Sequence, residues 1–317
     1  MRPEALPVDP GATLRVGLIQ LDADDDIDAN RRRAVGLACR ALDEGARLVA
    51  FPETFLYRGR TAGYRAAAAH IPGPHTETFA ALARKRSAWL LLGSVAEASA
   101  DPDRPYITSV LIGPDGSIAA TYRKIHLFDV VIDAGPSTSE SARATPGDRA
   151  VVADVPLADV PGANAPLTDG SGALAPGALA PGAQEPRIPS VRLGLTVCYD
   201  LRFPELYRVL ALAGAEVLCV PSDFTERTGR DHWEPLLRAR AIENGAYVIA
   251  PAQCGVPPAG NAAYGHSMVV DPWGIIVARA SDGPGIVMAD LDPARVAAAR
   301  RQIPVLANRR PEAYHLD

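Results

Sequence analysis

The sequence predicts an α/β protein in which two sheets lie between helical layers, in a three- or four-layer arrangement. Short apolar runs of strand length alternate with helical patterns through both halves of the 317-residue chain. The composition, 48% hydrophobic and 22% charged, fits a soluble globular protein with a sizeable aliphatic core. The same alternation resumes after one Ala/Pro/Gly-rich interruption, which indicates an insertion rather than a domain boundary.

The first half of the chain contains five predicted strands and one helix. Between the first two strands, Ala34, Ala38 and Leu42 recur at helical spacing, and Gly45 is placed to end that helix. A Pro-Asp-Gly turn joins the last two strands as a hairpin. The predicted strands are LRVGLIQL (14–21), RLVAFPE (47–53), WLLLGSVAE (89–97), TSVLIGPDG (108–116) and GSIAATYRK (116–124).

The second half repeats this alternation, with helices predicted over 204–214 and 232–245. Pro204 and Gly214 suit the start and the end of the first of these helices. Each of the two helices has a predicted apolar face. These faces are Leu206, Val209, Leu210 and Ala213 in helix 204–214, and Trp233, Leu236, Leu237 and Ala241 in helix 232–245. The predicted strands are VRLGLTV (191–197), EVLCVPS (216–222), AYVIAPAQ (246–253), GHSMVVDPWG (265–274), IIVARAS (275–281) and GIVMADLD (285–292).

One stretch departs from the alternation. Residues 155–189 are nearly all Ala, Pro, Gly and Leu, and ALAPG occurs twice in succession, at 173–177 and 178–182. Such a composition cannot bury enough side-chain area to offset the entropy of ordering it. We therefore predict a flexible surface insertion within a single domain over 12–317, and a disordered leader over 1–11.

Composition and charge argue against several classes of protein. The net charge of -5 gives no basic surface for nucleic acid, and no apolar run approaches the roughly 18 residues of a membrane span. The N-terminus lacks a basic segment followed by an apolar stretch, so no secretory signal is predicted. The four cysteines form no CxxC pair and no metal-ligand spacing, which indicates reduced thiols in the cytoplasm and no metal site.

The strongest local signal for chemistry is LGLTVCYDLRFPELY (193–207), in which Cys198 lies between an apolar strand and a helix. Free backbone N–H groups at a helix start favour a thiolate and predict a lowered pKa for this cysteine. The same groups can hold an oxyanion formed on a substrate. A buried structural cysteine at a strand end is the alternative that this segment alone leaves open.

Two ionisable residues end other predicted strands. Glu53 follows Ala-Phe-Pro, and Lys124 follows Thr-Tyr-Arg. Taken singly, each is explained as well by a solvated surface charge. Together with Cys198, they place an acid, a base and a thiol at strand ends that could converge on one rim.

Three segments, in this order, resemble the catalytic segments of the nitrilase superfamily of carbon–nitrogen hydrolases. They are FPE at Glu53, YRKIHLFD at Lys124 and CYDLRFPE at Cys198. The resemblance covers essentially residues 14–315 apart from the insertion, and several motifs agree over eight or more residues, among them YGHSMVVDPWG (264–274). Within the superfamily the chain is most similar to the branch that holds deaminated glutathione amidase and omega-amidase.

The resemblance implies a four-layer α-β-β-α sandwich that pairs into a dimer, with its sheets continued across the interface. It implies that Glu53 is the general base and Cys198 the nucleophile, and that Lys124 and the backbone N–H of Tyr199 hold the oxyanion. Glu140 matches the family's additional acidic residue, which orients the lysine and the substrate. No metal or organic cofactor has a task in this mechanism, so none is expected.

The activity that follows is hydrolysis of a non-peptide carbon–nitrogen bond, through a cysteine thioester and with release of ammonia. The expected substrate is the amide of a small anion such as deaminated glutathione or an omega-amide, and the expected protein is a cytoplasmic homodimer or higher homo-oligomer. A nitrilase, an N-carbamoyl amino-acid amidohydrolase and a catalytically silent binding or scaffolding dimer remain alternatives. Arg202 either pairs with a substrate carboxylate or braces Asp200 or Glu205.

Overall fold

A computed structural model describes residues 13–131, 138–157, 189–258 and 260–314. The helices in these ranges are Ile27–Asp43 (α1), Thr61–Ala66 (α2), Pro74–Arg86 (α3), Pro204–Leu212 (α4), Glu226–Asn244 (α5) and Pro293–Gln302 (α6), with short 3-10 helices at Cys198–Arg202 and Pro311–Ala313. The strands are Leu14–Gln20 (β1), Leu48–Ala50 (β2), Trp89–Glu97 (β3), Tyr106–Ile112 (β4), Ile118–Arg123 (β5), Asp129–Val130 (β6), Thr138–Ser139 (β7), Val151–Pro156 (β8), Ser190–Leu195 (β9), Val217–Cys219 (β10), Tyr247–Ala250 (β11), Cys254–Gly255 (β12), Ala263–Tyr264 (β13), Met268–Val270 (β14), Ile276–Arg279 (β15) and Gly285–Leu291 (β16).

Two six-stranded sheets of the same design dominate the fold. The strand order is β16-β1-β2-β3-β4-β5 in sheet 1 and β8-β9-β10-β11-β14-β15 in sheet 2. In each sheet three consecutive strands run parallel, β1 to β3 and β9 to β11, and the outer pairs are antiparallel. Since β4 is antiparallel to both β3 and β5, strand β5 runs in the direction of β1 to β3. The C-terminal ends of these strands therefore lie at one edge of sheet 1.

The two sheets pack face to face through alternate residues of their strands. Val16 and Leu18 of β1 share a buried cluster with Leu193 and Leu195 of β9. Ile19, on the opposite face of β1, belongs to a second cluster that sheet 1 forms with α1 and α3. Helices α4 and α5 cover the outer face of sheet 2. The predicted α-β-β-α sandwich is thus confirmed.

The helix predictions need correction at α4 and α5, and they contain no counterpart of α2, α3 or α6. In α4 the buried face is formed by Leu206, Tyr207, Leu210 and Ala211, whereas Val209, which the predicted apolar face includes, is 48% exposed. Helix α5 begins at Glu226 rather than at 232, because its first turns are polar and carry no apolar periodicity. Among the helices of the described ranges, none is both long and apolar enough to cross a membrane.

The predicted insertion starts inside an observed strand. Strand β8 continues to Pro156 and pairs with β9, and the backbone N–H of Leu157 donates to the carbonyl of Pro189 at 2.7 Å. The first residues assigned to the insertion therefore belong to sheet 2, and the two ends of the segment lie side by side. Residues 158–188 and the predicted leader over 1–11 lie outside the described residues, so their conformation stays a prediction.

Candidate active site

A pocket of about 350 Å³ lies beyond the C-terminal ends of β2, β5 and β9. Glu53, Lys124, Cys198 and Glu140 all line it, although they come from four separate segments of the sequence. The C-terminal ends of parallel strands are the usual place for binding sites in α/β proteins, since neighbouring strands deliver their following loops to one edge. The structure thus brings the four sequence-predicted side chains into one cavity.

Glu53 lies in the turn after β2 and is held at both carboxylate oxygens. Its Oε1 is 2.9 Å from Nζ of Lys124, and its Oε2 accepts from the backbone N–H of Asp223 at 2.8 Å. Gln253 donates to its backbone carbonyl at 2.9 Å, and Thr54 follows with a φ of +52°. Burial raises the pKa of Glu53, and the neighbouring Lys124 only partly offsets this rise. A carboxylate with a raised pKa is a better base.

Gly93 of β3 lets this turn approach the sheet. A Cβ at this position would lie 2.0 Å from the carbonyl oxygen of Phe51 and 2.4 Å from that of Pro52. Both atoms belong to backbone, which cannot move aside without displacing Glu53. The position of the acid therefore depends on a glycine in the neighbouring strand.

Lys124 is a buried cation between two carboxylates. Its Nζ lies 2.9 Å from Glu53 and 2.8 Å from Glu140, and the lysine side chain is only 1% exposed. Burial alone would lower the pKa of Lys124, but the two carboxylates outweigh it and raise that pKa well above its usual range. Burial also opposes ionisation of Glu140, yet Lys124 and Arg143 hold the pKa of Glu140 below its usual value. The ammonium and the Glu140 carboxylate therefore stay charged.

Cys198 follows β9 with a φ of +47°, a left-handed conformation that is uncommon for a residue other than glycine. Its backbone N–H donates to the carbonyl of Pro221 at 2.9 Å. Burial raises the pKa of the thiol well above its usual range, and the Glu53 carboxylate adds to this rise. The prediction of a lowered pKa is wrong, because the helix after Cys198 is one short turn whose dipole is weaker than burial and a nearby carboxylate.

Tyr199 lies on the pocket wall directly after the thiol. Its backbone N–H has no hydrogen-bond partner within the described part of the chain, whereas the N–H groups of Cys198 and Asp200 are both used. An N–H that is free beside a thiol can accept charge that develops on a bound carbonyl oxygen.

Arg202 also lines this pocket. Its Nη1 is 3.3 Å from Nδ1 of His232, and its guanidinium lies 5.2 Å from the ring centroid of Phe224. Within the described ranges it forms no ion pair with Asp200 or Glu205, so the bracing alternative is wrong.

The sequence patterns miss three further lining residues. Arg58 is buried, and its Nε lies 2.9 Å from the Asp223 carboxylate. The guanidinium of Arg143 comes no closer to the Glu140 carboxylate than 3.5 Å. The hydroxyl of Tyr64 is buried and has no partner among the described residues, and burial raises its pKa. Arginine and tyrosine in loops carry no local signal, so only their placement in space identifies them. Within the described ranges, no group of three or more His, Cys, Asp or Glu side chains could hold a metal ion.

This arrangement is suited to nucleophilic acyl transfer. A neutral thiol, a carboxylate of raised pKa and a fixed ammonium, all on buried side chains, line one pocket, and a free backbone N–H lies beside the thiol. Acyl transfer needs a nucleophile, a base for its proton and donors for the developing oxyanion. Fold and pocket together are those of an α-β-β-α hydrolase.

Comparison with known proteins narrows this class. The profile of the carbon–nitrogen hydrolase family matches residues 15–301. Deaminated glutathione amidase of Homo sapiens is 38% identical over 306 residues, which cover 94% of this chain and 83% of that protein. The omega-amidase of Bos taurus is 33% identical over 306 residues, covering 96% and 98%. The structure of Saccharomyces cerevisiae Nit3, a member of branch 10 of the nitrilase superfamily, matches with a TM-score of 0.75 at 30% identity, covering 94% and 97%.

The chain belongs to the carbon–nitrogen hydrolase family, within the nitrilase superfamily. It is an amidase, as the resemblance in its sequence predicts.

Proposed function

We propose that this amidase works through a thioester on Cys198, with Glu53 as the general base and Lys124 as a donor to the oxyanion. The observation that carries the proposal is the position of the Lys124 ammonium, 2.9 Å from Glu53 and 2.8 Å from Glu140 in the cavity that holds the thiol. A charge fixed in this way needs no rearrangement when an oxyanion forms nearby.

The first step joins the thiol to the substrate. Because burial keeps the Cys198 thiol protonated, Glu53 takes its proton as the sulfur attacks the amide carbon. The carbonyl oxygen becomes an oxyanion, which the Lys124 ammonium and the backbone N–H of Tyr199 stabilise. The raised pKa of Glu53 favours this proton transfer.

The second step breaks the carbon–nitrogen bond. Protonated Glu53 gives its proton to the departing nitrogen, which leaves as ammonia or an amine, and the acyl group stays on Cys198 as a thioester. Glu53 then takes a proton from water, the resulting hydroxide attacks the thioester, and the thiol recovers its proton. Glu140 keeps Lys124 charged and in place throughout.

The substrate that we propose is the amide of a small anion, such as deaminated glutathione or an omega-amide. The names of the relatives support this choice. So does Arg202, which lines the pocket and forms no ion pair with a carboxylate among the described residues, so that its charge is left for a ligand. A nitrile is the alternative, but it first forms a thioimidate and so needs an extra protonation at nitrogen.

Trapping the intermediate tests the mechanism. A variant slowed at thioester hydrolysis should gain the mass of the acyl group, and peptide mapping should place that mass on Cys198. Cys39, Cys219 and Cys254 serve as internal controls in the same digest. An acyl group on one of those three cysteines, or none at all during turnover, would refute the thioester.

A panel of substrates tests the proposed specificity. Deaminated glutathione, 2-oxoglutaramate, a carbamoyl amino acid and an aliphatic nitrile are compared by kcat/KM at equal concentration. The first two should lead, with the nitrile lower by at least about 100-fold. Arg202→Gln should raise KM for anionic amides and leave KM for acetamide unchanged. A nitrile or carbamoyl compound in first place would remove the substrate assignment and leave the mechanism intact.

The proposed active form is a cytoplasmic homodimer or higher homo-oligomer. An exposed apolar pair on helix α4 supports association through this helix. Val209 and Leu212, which are three residues apart and so lie on one side of the helix, are 48% and 50% exposed. Light scattering should give at least twice the mass of one chain, and Leu212→Arg should reduce it. A monomer at working concentration would contradict this part of the proposal.

A further inference from the structure

Asp200 is a fully buried carboxylate that lies behind the pocket rather than in its lining. Its Oδ2 accepts from the hydroxyl of Tyr122 at 2.6 Å and from the backbone N–H of Val197 at 2.8 Å. Its Oδ1 contacts the ring Nδ1 of His126 at 2.7 Å and accepts from the backbone N–H of that residue at 3.1 Å. Four contacts within hydrogen-bond distance satisfy this buried group.

The four contacts come from the two segments that carry the proposed chemistry. Tyr122 and His126 flank Lys124 in the sequence, and Val197 immediately precedes Cys198. The Tyr122 hydroxyl also accepts from the backbone N–H of Ile125 at 3.3 Å, so the whole turn after Lys124 is tied to the same carboxylate.

Both partner side chains are held in the orientation that these contacts need. The His126 ring stacks on the ring of Phe203, with centroids 3.6 Å apart and planes 7° apart, which fixes Nδ1 towards Asp200. Burial and the nearby carboxylate raise the pKa of Tyr122 well above its usual range, so its hydroxyl stays protonated and donates.

We propose that Asp200 is a positioning residue that sets the distance between the Lys124 ammonium and the Cys198 thiol by binding both segments to one carboxylate. This inference rests on the roles proposed above for Lys124 and Cys198. A carboxylate suits the task because each of its oxygens accepts two hydrogen bonds here. The amide of asparagine has one such oxygen, and in either orientation its NH₂ group would face a backbone N–H donor, that of Val197 or that of His126.

Three variants test the proposal in the full-length enzyme. Asp200→Asn should lower kcat by about 100-fold, since a displacement of about 1 Å at a reacting centre costs that much. Tyr122→Phe removes one hydroxyl and keeps the ring, and it should lower kcat by about 10-fold with KM nearly unchanged. Tyr247→Phe is the matched control, because its buried hydroxyl accepts from Asp292 at 3.2 Å, away from the pocket.

The pH profile separates positioning from a general loss of stability. In Tyr122→Phe, Lys124 should lie farther from Glu53 and lower its pKa less, so the acid limb of kcat/KM should move to higher pH. In Tyr247→Phe the acid limb of kcat/KM should stay in place, even if the melting temperature falls as much as in Tyr122→Phe. The double variant Tyr122→Phe with Asp200→Asn should have the same kcat as Asp200→Asn alone, because both changes act on one hydrogen-bond network.

The outcomes distinguish this inference from the mechanism on which it rests. If Cys198→Ala is inactive while Asp200→Asn or Tyr122→Phe keeps kcat within about twofold, the positioning role is refuted and the mechanism stands. An equal loss of kcat in Tyr122→Phe and Tyr247→Phe, without movement of the acid limb, would also refute it. Activity in Cys198→Ala would remove the mechanism itself.

Discussion

The two ends of strand β9 belong to regions with opposite properties. At the C-terminal end, Cys198 lines a cavity in which two buried acids, Glu53 and Glu140, each lie within 3 Å of the Lys124 ammonium. At the N-terminal end, Leu157 and Pro189 flank the segment 158–188 in the sequence, and the backbone N–H of Leu157 donates to the carbonyl oxygen of Pro189 at 2.7 Å. The six-residue strand separates the Leu157–Pro189 pair from the pocket end by about 20 Å.

This comparison shows what a strand in the middle of a sheet provides. β9 is paired on both sides, with β8 and β10, and its core residues are buried between the sheets. Because such a strand cannot slip without exposing its apolar face, we expect that it does not transmit changes from one end to the other. We therefore expect large effects on activity when single side-chain groups are changed at the pocket. Replacement of many residues at the N-terminal end of β9, in the segment 158–188, should have small effects.

The largest effect should come from the thiol. Cys198→Ala removes the nucleophile and should abolish turnover, while circular dichroism and oligomeric state stay unchanged. Cys39→Ala, a half-buried thiol in α1, is the control and should keep full activity. Turnover within about tenfold of the wild type in Cys198→Ala would contradict the central claim about this end of β9.

The next effect should come from the charged partners of the thiol. Glu53→Gln keeps the shape but removes the base, and Lys124→Met removes the oxyanion charge. Each should lower kcat by at least about 10²–10³, the cost of losing one oxyanion donor in well-studied enzymes. Arg123→Met, which changes the preceding, partly exposed residue of β5, should stay within about threefold. Near-normal kcat in either pocket variant would mean that its role is wrongly assigned.

A smaller, structural effect should come from Gly93. Gly93→Ala forces a methyl group against the carbonyls of Phe51 and Pro52 and should destabilise the fold by about 3 kcal/mol or more. Gly36→Ala is the matched control, since its added methyl meets nothing within 4 Å in helix α1, and it should stabilise by about 0.5–1 kcal/mol. Denaturant unfolding measures both, and equal stabilities would show that the Glu53 turn is free to move.

The pH dependence should show a still smaller effect that is confined to the pocket. Glu53 must be ionised to accept the thiol proton, and burial raises its pKa, so kcat/KM should fall as pH drops through a value above 4.5, the usual value for glutamate. In the residual activity of Lys124→Met this limb should move to higher pH, because the lysine lowers the pKa of Glu53. A limb at or below the usual value would show that the acid is not buried in solution.

The smallest effect should come from the segment 158–188 at the N-terminal end of β9. We propose that 158–188 is an insertion within one domain, and that replacing 158–186 by a short Gly-Ser bridge leaves kcat unchanged. The unfolding free energy should change by less than about 1 kcal/mol, since loop length enters closure entropy only logarithmically. A large loss of stability or activity would show that the segment packs on the body or on a second chain, and would end the contrast between the two regions.

The sequence predicts most of the fold because its signals are local. The strand WLLLGSVAE over 89–97 is predicted to the residue, since an apolar run between polar ends is read from neighbouring positions alone. The first turns of α5 are not predicted for the same reason, because their polar residues show no helical periodicity in hydrophobicity. The exposure of Val209 and burial of Tyr207 depend on how α4 lies on the sheet, which its own sequence leaves open.

The residue types of the pocket could also be predicted, but their states could not. The sequence by itself determined that Glu53, Lys124 and Cys198 end apolar strands, and strand direction then delivers them to one edge. Only the tertiary structure decided that the pKa of the Cys198 thiol is raised and that Asp200 lies between the two segments. The physical reason is range: periodicity depends on adjacent residues, whereas burial and electrostatic fields depend on groups that the chain brings together only when it folds.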